Sequence, residues 1–493
     1  MAQVEPISSR GSAPSAMSKK NVDKNATTSF KHVFCAENPG RIDDFYDMDT
    51  VAIGEGSYGR VCKGVDKTTK QVRAIKAIAS SKITDPKRFD DEMRIQQKLD
   101  HPNIVKLYEV FKDAKTVYLV MECCTGGELF DRIIEECDKH DNHSAFTEND
   151  AAKVMSQIME AMRYMHASKF VHRDIKPENF IMQNKEKNSP VKVIDFGLAK
   201  HFEHGNGKLM DTKAGTPYYV APQVLKGKYD EKCDIWSCGV VLYIVICGSP
   251  PFAGNTDSQI LKKVAEGKVR FPSPDWDKIS GGPNGVKDLI TKMLKFAPTE
   301  RYSAAQCLEH PWLKSRGLAH GTSTPIPGLS KNLNSFVAAS KLKKVALTVM
   351  AQIVSEDDIR DLKETFLALD VNHDGTLTPA EIAEGIQKMG ISEKNQDLAE
   401  SLKKIDTDSS GSIDYSEFIA ASLERSTYLK RDNMWRAFRL FDRDGDGKIT
   451  GRELGVILED HPKDTVRNII TQYDLDGDGV IEFEEFMKMM EAK

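Results

Sequence analysis

The sequence predicts two folded domains in series, an α+β domain of two lobes over residues 46–313 and an all-α domain over residues 355–493. Three observations carry that expectation. Gly54, Gly56 and Gly59 form a G-x-G-x-x-G loop that runs on into a strand-like segment over 71–78, and helical periodicity begins only afterwards, so a small sheet precedes a helical lobe. Four acidic twelve-residue loops then recur from Asp370, Asp406, Asp442 and Asp474, at spacings of 36, 36 and 32 residues, each flanked by apolar positions at helical intervals. Charge divides the chain at the same place: residues 355–493 carry a net −14 and the preceding residues a net +9, which together give −5.

Residues 1–45 are rich in Ser, Ala, Lys and Asn without an apolar h-region, and read as a disordered extension rather than a signal peptide. Ala2 excludes N-myristoylation at this start, which leaves Cys35 as a candidate for acylation. The nine cysteines form no C-x-x-C pair and are odd in number, so neither a disulfide framework nor a zinc site is expected, and a reducing cytoplasmic setting fits. No apolar run approaches the ~20 residues that span a bilayer; the stretch over 240–247 reads as a buried helix. Lys and Arg are dispersed among acids, which argues against nucleic-acid binding.

The glycine spacing alone also suits dinucleotide-binding folds, but those place a helix directly after the glycines. Here a strand follows, and it contains Ala74-Ile75-Lys76, the pattern of a lysine reaching the phosphates of ATP under a glycine-rich cover. Glu92, in the amphipathic stretch 89–99, is placed to pair with Lys76. His172-Arg173-Asp174 with Lys176 and Asn179 follows, then Asp195-Phe196-Gly197. Phosphoryl transfer needs an aligned nucleophile and neutralised charge. Asp174 suits acceptance of a hydroxyl proton, Lys176 the steadying of the moving phosphoryl group, and Asn179 and Asp195 the holding of Mg²⁺. These motifs are those of a protein kinase fold.

The acidic loops have side-chain oxygens at positions 1, 3 and 5, Gly at 6, a backbone carbonyl at 7 and Glu at 12, the twelve-residue Ca²⁺ loop of an EF-hand. Loop one (370–381) offers Asp370, Asn372, Asp374, Thr376 and Glu381, and loop two (406–417) offers Asp406, Asp408, Ser410, Ser412 and Glu417. Loop three (442–453) offers Asp442, Asp444, Asp446, Lys448 and Glu453, and loop four (474–485) offers Asp474, Asp476, Asp478, Val480 and Glu485. Ser410 brings no charge to position 5, so loop two is expected to bind most weakly; equal affinity at all four sites in calorimetry would contradict this.

With these motifs the chain, after its extension, resembles the calcium-dependent protein kinases of plants and protists, in which a kinase domain is fused to a calmodulin-like domain of four EF-hands. The resemblance implies a Ser/Thr protein kinase using ATP and Mg²⁺ and activated by Ca²⁺ without separate calmodulin. The D-I-K-P-E-N run over 174–179 argues against Tyr specificity. The resemblance further implies that Ile53, Val61 and Ala74 border the nucleotide, that the backbone of Glu122 and Cys124 faces adenine, and that Met121 guards the back pocket. It also makes Glu128, in Gly126-Gly127-Glu128, a site for a basic substrate residue three before the phosphoacceptor. The chain is expected to act on protein substrates as a monomer. The rival reading is a catalytically inactive calcium-responsive scaffold, which the intact Lys76, Asp174, Asn179 and Asp195 oppose.

Three finer expectations remain. Gln223 stands in Ala221-Pro222-Gln223 where the family has Glu, opposite an Arg expected to be Arg301, so the lower lobe should lose some stability. Thr212 is an optional phosphorylation site that Arg173 could bind. Residues 314–354 form a linker with Pro325 and Pro327 and then one basic amphipathic helix over 334–354, with Leu342, Val345, Val349 and Ile353 as anchors and Lys341, Lys343 and Lys344 nearby. Hands are expected to take this helix from the kinase when Ca²⁺ binds, and whether it blocks or braces the active form is open at this level.

Overall fold

In the computed structural model the described residues are 36–38, 40–56, 59–83, 85–139, 146–202, 210, 217–317, 329–388, 404–407, 410–458 and 463–492. The small lobe is a twisted sheet of six strands, β1 (Ala36–Asn38), β2 (Tyr46–Gly56), β3 (Gly59–Asp66), β4 (Val72–Ala79), β5 (Leu107–Lys112) and β6 (Thr116–Met121), in the order β1-β5-β6-β4-β3-β2. β2 to β6 pair antiparallel, and β1 lies parallel on β5. A helix over Pro86–Lys98 packs Phe89 and Met93 on this sheet. The disordered extension expected over 1–45 is corrected at its end: Ile42 is buried and Phe45 packs on Phe111 with ring centroids 5.4 Å apart. Two apolar side chains and a ladder to β5 outweigh the polar composition there; residues 1–35, including Cys35, lie outside the described residues.

The large lobe is helical around Glu148–Ala167 and Lys232–Cys247. The apolar stretch over 240–247 does form a buried helix, since every residue from Cys233 to Cys247 is buried. No helix among the described residues is long and apolar enough to cross a membrane. Linker residues 318–328 and Thr212 lie outside the described residues.

The single helix expected over 334–354 is two, Leu329–Ala338 and Lys341–Ile353. The Ser340 hydroxyl accepts the Lys343 N–H, an N-cap that restarts the helix and breaks the continuous pattern. Helix Lys341–Ile353 is enclosed by helices Tyr415–Ser422 and Arg431–Phe441 of the second and third hands. Leu342, Val345, Leu347, Val349, Met350 and Ile353 are all buried in one core with Phe366, Phe418, Phe438 and Phe486. The hands therefore share a core with the connector helix, separate from the cores of the two kinase lobes. Lys343 and Lys344 extend over Tyr428 and Phe336, at 5.7 and 5.5 Å from the ring centroids. Burial lowers both ammonium pKa values, which aromatic faces partly offset.

Candidate active site and calcium loops

The residues singled out in the catalytic loop converge. Lys176 Nζ lies 2.9 Å from Asp174 Oδ2, and Asn179 Nδ2 donates to the Asp174 carbonyl at 2.7 Å and to its carboxylate at 3.2 Å. Arg173 and Asp195 both have positive φ, +69° and +62°, a conformation that costs non-glycine residues about 1–3 kcal/mol each and persists where surroundings enforce it. Asp234, at the start of helix Lys232–Cys247, does the enforcing at Arg173: its carboxylate accepts the N–H of His172 at 2.9 Å and of Arg173 at 2.8 Å, and pairs with His166 Nε2 at 2.9 Å. Burial opposes its charge, but the His166 contact and these amides hold its pKa below the usual carboxylate value. Asp234 escapes sequence reasoning, although an acid opening an otherwise apolar helix was a legible signal.

Around the nucleotide region the glycine loop is a β2–β3 hairpin, with Gly54 opposite Val61 and Gly56 opposite Gly59. A Cβ on Gly59 would come within 2.0 Å of the Ala77 carbonyl, so only glycine fits against β4. Ile53 is exposed, Ala74 is buried, and Met121 ends β6 beside Ala74. Glu122 uses its N–H on the Lys106 carbonyl at 2.9 Å and its carboxylate on buried Lys192 at 2.7 Å, while Cys124 is buried beside it. Lys76 lies on β4, and Glu92, half-buried, lies on helix Pro86–Lys98.

Glu128 lies in an acidic group. Burial raises its pKa, Asp131 and Glu178 raise it further, and Lys176 opposes them. Glu178 is the second residue that the sequence reading left unassigned; one of its carboxylate oxygens is buried without a partner.

The contact expected of Gln223 is present. Arg301 is buried, donates from Nη2 to Gln223 Oε1 at 3.2 Å and to the Lys295 carbonyl and from Nη1 to the Lys232 carbonyl, and lies 5.0 Å from the Trp236 ring centroid. Burial lowers its pKa to about 10 against the opposing pull of Cys233 and Asp230, and Gln223 Nε2 is itself buried without a partner. Gln223→Glu should remove that unpaired donor and make the bond charge-assisted, a gain of about 1–2 kcal/mol. Thermal melting should rise by several degrees, and an unchanged melting temperature contradicts this explanation.

The hands pair as their loops require. Leu377 and Ile413 exchange two backbone hydrogen bonds of 2.7 Å between loops one and two, and Lys448–Ile449 pairs with Ile481–Glu482 between loops three and four. The position-6 glycines Gly375, Gly411, Gly447 and Gly479 all have φ between +78° and +91°. Asp370, Asp406, Asp442 and Asp474 each accept the N–H of the glycine five residues on, at 2.8 to 2.9 Å. Glu381, Glu417, Glu453 and Glu485 each begin an exit helix and accept backbone N–H groups of their own loops. Burial, with Asp374 and Glu381 nearby, pushes Asp370 up to about 7. Ligand atoms of Asp442, Asp444 and Glu453 lie within 4.8 Å of one another, as do those of Asp474, Asp476 and Asp478. Like charges held this close, with oxygen donors only, fit a hard divalent cation. Asn372, Asp374, Thr376, Ser410, Ser412, Asp446, Lys448 and Val480 occupy the loop positions expected of them; Asp408 lies outside the described residues.

A two-lobed domain with this catalytic loop, followed by two pairs of calcium-binding hands, defines a protein kinase with its own calcium module. A family model described as "Protein kinase domain" matches residues 48–313, and one described as "EF-hand domain pair" matches residues 359–423 and 431–491. The chain is 41% identical over 465 residues to "Calcium-dependent protein kinase 3" of Plasmodium berghei (strain Anka), covering 92% of this chain and 81% of the relative. It is 38% identical over 445 residues to "Calcium-dependent protein kinase 17" of Arabidopsis thaliana, covering 89% and 82%. The chain belongs to the calcium-dependent protein kinase family, and is a serine/threonine protein kinase regulated by its EF-hand domain. The kinase domain implies ATP and the hands imply Ca²⁺.

Proposed function

We propose that Asp174 accepts the proton of a Ser or Thr hydroxyl while Lys176 steadies the transferring γ-phosphoryl group, with Lys76 on the α- and β-phosphates. The observation that carries this is the three-residue constellation of Asp174, Lys176 and Asn179 held within hydrogen-bonding distance. Asn179 commits its Nδ2 to Asp174, which leaves its side-chain Oδ1 as a ligand atom, and its backbone carbonyl accepts the N–H of Ile194, the residue before Asp195; Oδ1 with the Asp195 carboxylate is a donor set that fits Mg²⁺. Bound there, Mg²⁺ would supply neutralisation of phosphate charge. Ile53, Gly54, Gly56, Gly59, Val61, Ala74, Met121, Glu122 and Cys124 enclose the nucleotide in this reading.

The acidic group of Glu128, Asp131 and Glu178 selects a substrate with a basic residue three before the phosphoacceptor. A cation there relieves the mutual repulsion and pairs the orphaned Glu178 oxygen. A peptide with Arg at that position should be phosphorylated with kcat/KM at least about tenfold above its Ala counterpart, and Glu178→Gln should narrow the gap. Equal rates for the two peptides would sink this assignment.

The hands work from behind the kinase. Arg439 lies 3.6 Å from Asp66, Arg436 donates to the Thr69 carbonyl at 3.2 Å, and Gln71 donates to the Ile353 carbonyl at 3.4 Å. These contacts favour the reading in which the calcium-loaded hands hold the connector helix and brace the active form. Burying Leu342, Leu347 and Met350 contributes roughly 1.5–3 kcal/mol each, of the order of the ~5.5 kcal/mol that a 1:99 to 99:1 switch requires. The working unit is a monomer, and its free cysteines suit a reducing cytoplasm.

A further inference from the structure

The junction between the small lobe and the hands is satisfied at one end and incomplete at the other. Where the second hand meets the kinase, Asp100 Oδ2 accepts the Ser416 N–H at 2.8 Å, and Lys106 Nζ reaches both Asp100 Oδ1, at 2.8 Å, and Ser416 Oγ, at 3.0 Å. Where the end of the connector helix and helix Arg431–Phe441 meet the turn between β3 and β4, a cavity of about 40 Å³ remains. That is room for about three water molecules, or for one tetrahedral oxyanion.

Three guanidinium groups line this cavity: Arg73 of β4, and Arg436 and Arg439 of helix Arg431–Phe441. Arg436 uses Nη1 on the Ile353 carbonyl at 3.3 Å and Nη2 on the Thr69 carbonyl at 3.2 Å, and its Nε is buried without a partner. Gln352, only 7% exposed, lines the same cavity, and its Nε2 is likewise buried without a partner. Two buried donors beside one cavity call for an acceptor inside it. The two carboxylates of the wall do not supply one. Asp66 Oδ1 accepts the N–H groups of Thr68 and Thr69, at 2.9 and 2.7 Å, and its Oδ2 lies 3.6 Å from Arg439. Glu109 accepts the Tyr46 hydroxyl at 3.3 Å; burial raises its pKa over the pull of Arg439, and Asp66 adds to the rise. Three cations therefore face one engaged carboxylate and one whose ionisation is opposed, and the balance is positive. Burial, and then Arg73, lower the Arg436 pKa, which is the strain that a counter-ion relieves.

We propose that this cavity binds a tetrahedral oxyanion of the phosphate class, held by Arg436 Nε and Gln352 Nε2 in the field of Arg73 and Arg439, and that the ion joins β4 of the kinase to the connector helix and the third hand. Its donors come from separate elements, so the ion binds their assembled form and stabilises it. The site stands apart from the braced-kinase reading above; only its effect on activity rests on that reading.

The full-length, calcium-loaded chain is melted in sodium sulfate and in sodium chloride at equal ionic strength. Sulfate is the probe because it has the shape of phosphate and leaves calcium in solution. It should raise the melting temperature by a few degrees, and its general salting effect is common to all variants. Gln352→Glu keeps the side chain's size and sets a tethered carboxylate in the cavity. It should melt above the unaltered protein in chloride and lose the sulfate increment. Arg436→Gln should melt lower and lose the increment too. An unaltered protein without the increment, as expected of a cavity filled by water, overturns the proposal. So does an increment that survives in either variant, which places the ion elsewhere, or a Gln352→Glu chain that melts below the unaltered one in chloride. Sulfate should also lower the Ca²⁺ needed for half-maximal activity by about threefold. A melting increment lost in both variants, without that change in Ca²⁺ requirement, establishes the ion site and counts against the braced-kinase reading alone.

Discussion

Asp174→Ala should lower kcat by about 10²–10⁴ while leaving the KM for ATP little changed. The side chain is engaged by Lys176 and Asn179 within the catalytic loop. Its loss removes an interaction made as the hydroxyl is aligned and deprotonated, so the effect belongs in kcat. Asp234 and the backbone hydrogen bonds of His172 and Arg173 hold the loop independently of Asp174, so the variant should fold normally. Steady-state kinetics with a Ser peptide measures both constants; a large rise in KM with kcat preserved would reassign Asp174 to substrate binding.

Truncation after Ser315 should leave a folded kinase domain with about 10²-fold less activity than the calcium-loaded full chain, and no response to Ca²⁺. The lobes keep their own cores, distinct from the one shared by the connector helix and the hands. What the fragment loses is the grip on Asp100, Asp66 and Gln71 from behind. Calcium-independent activity equal to that of the loaded full chain would show instead that the connector helix is simply an inhibitor.

The sequence made the local devices legible because each is written in consecutive residues. Glycines at 54, 56 and 59, the run over 172–179 and the twelve-residue loops report their geometry through spacing alone. Even the side-chain bond between Gln223 and Arg301, 78 residues apart, could be expected because both ends lie in recognisable motifs. Contacts between motifs were hidden. Asp234 supports the catalytic loop from 61 residues downstream, and Asp100 meets Ser416 across 316 residues, pairings that no periodicity announces. The break at Ser340 was missed because the apolar intervals continue across it, whereas a capping hydroxyl decides where a helix restarts.

The most direct measurement is phosphate transfer from ATP to a peptide with Arg three residues before Ser, in Ca²⁺ and in chelator, with Asp174→Ala as control. Strong transfer in Ca²⁺, little in chelator and none in the control is the result expected of a kinase held active by its hands. Equal transfer in both conditions, or none in either, would contradict it.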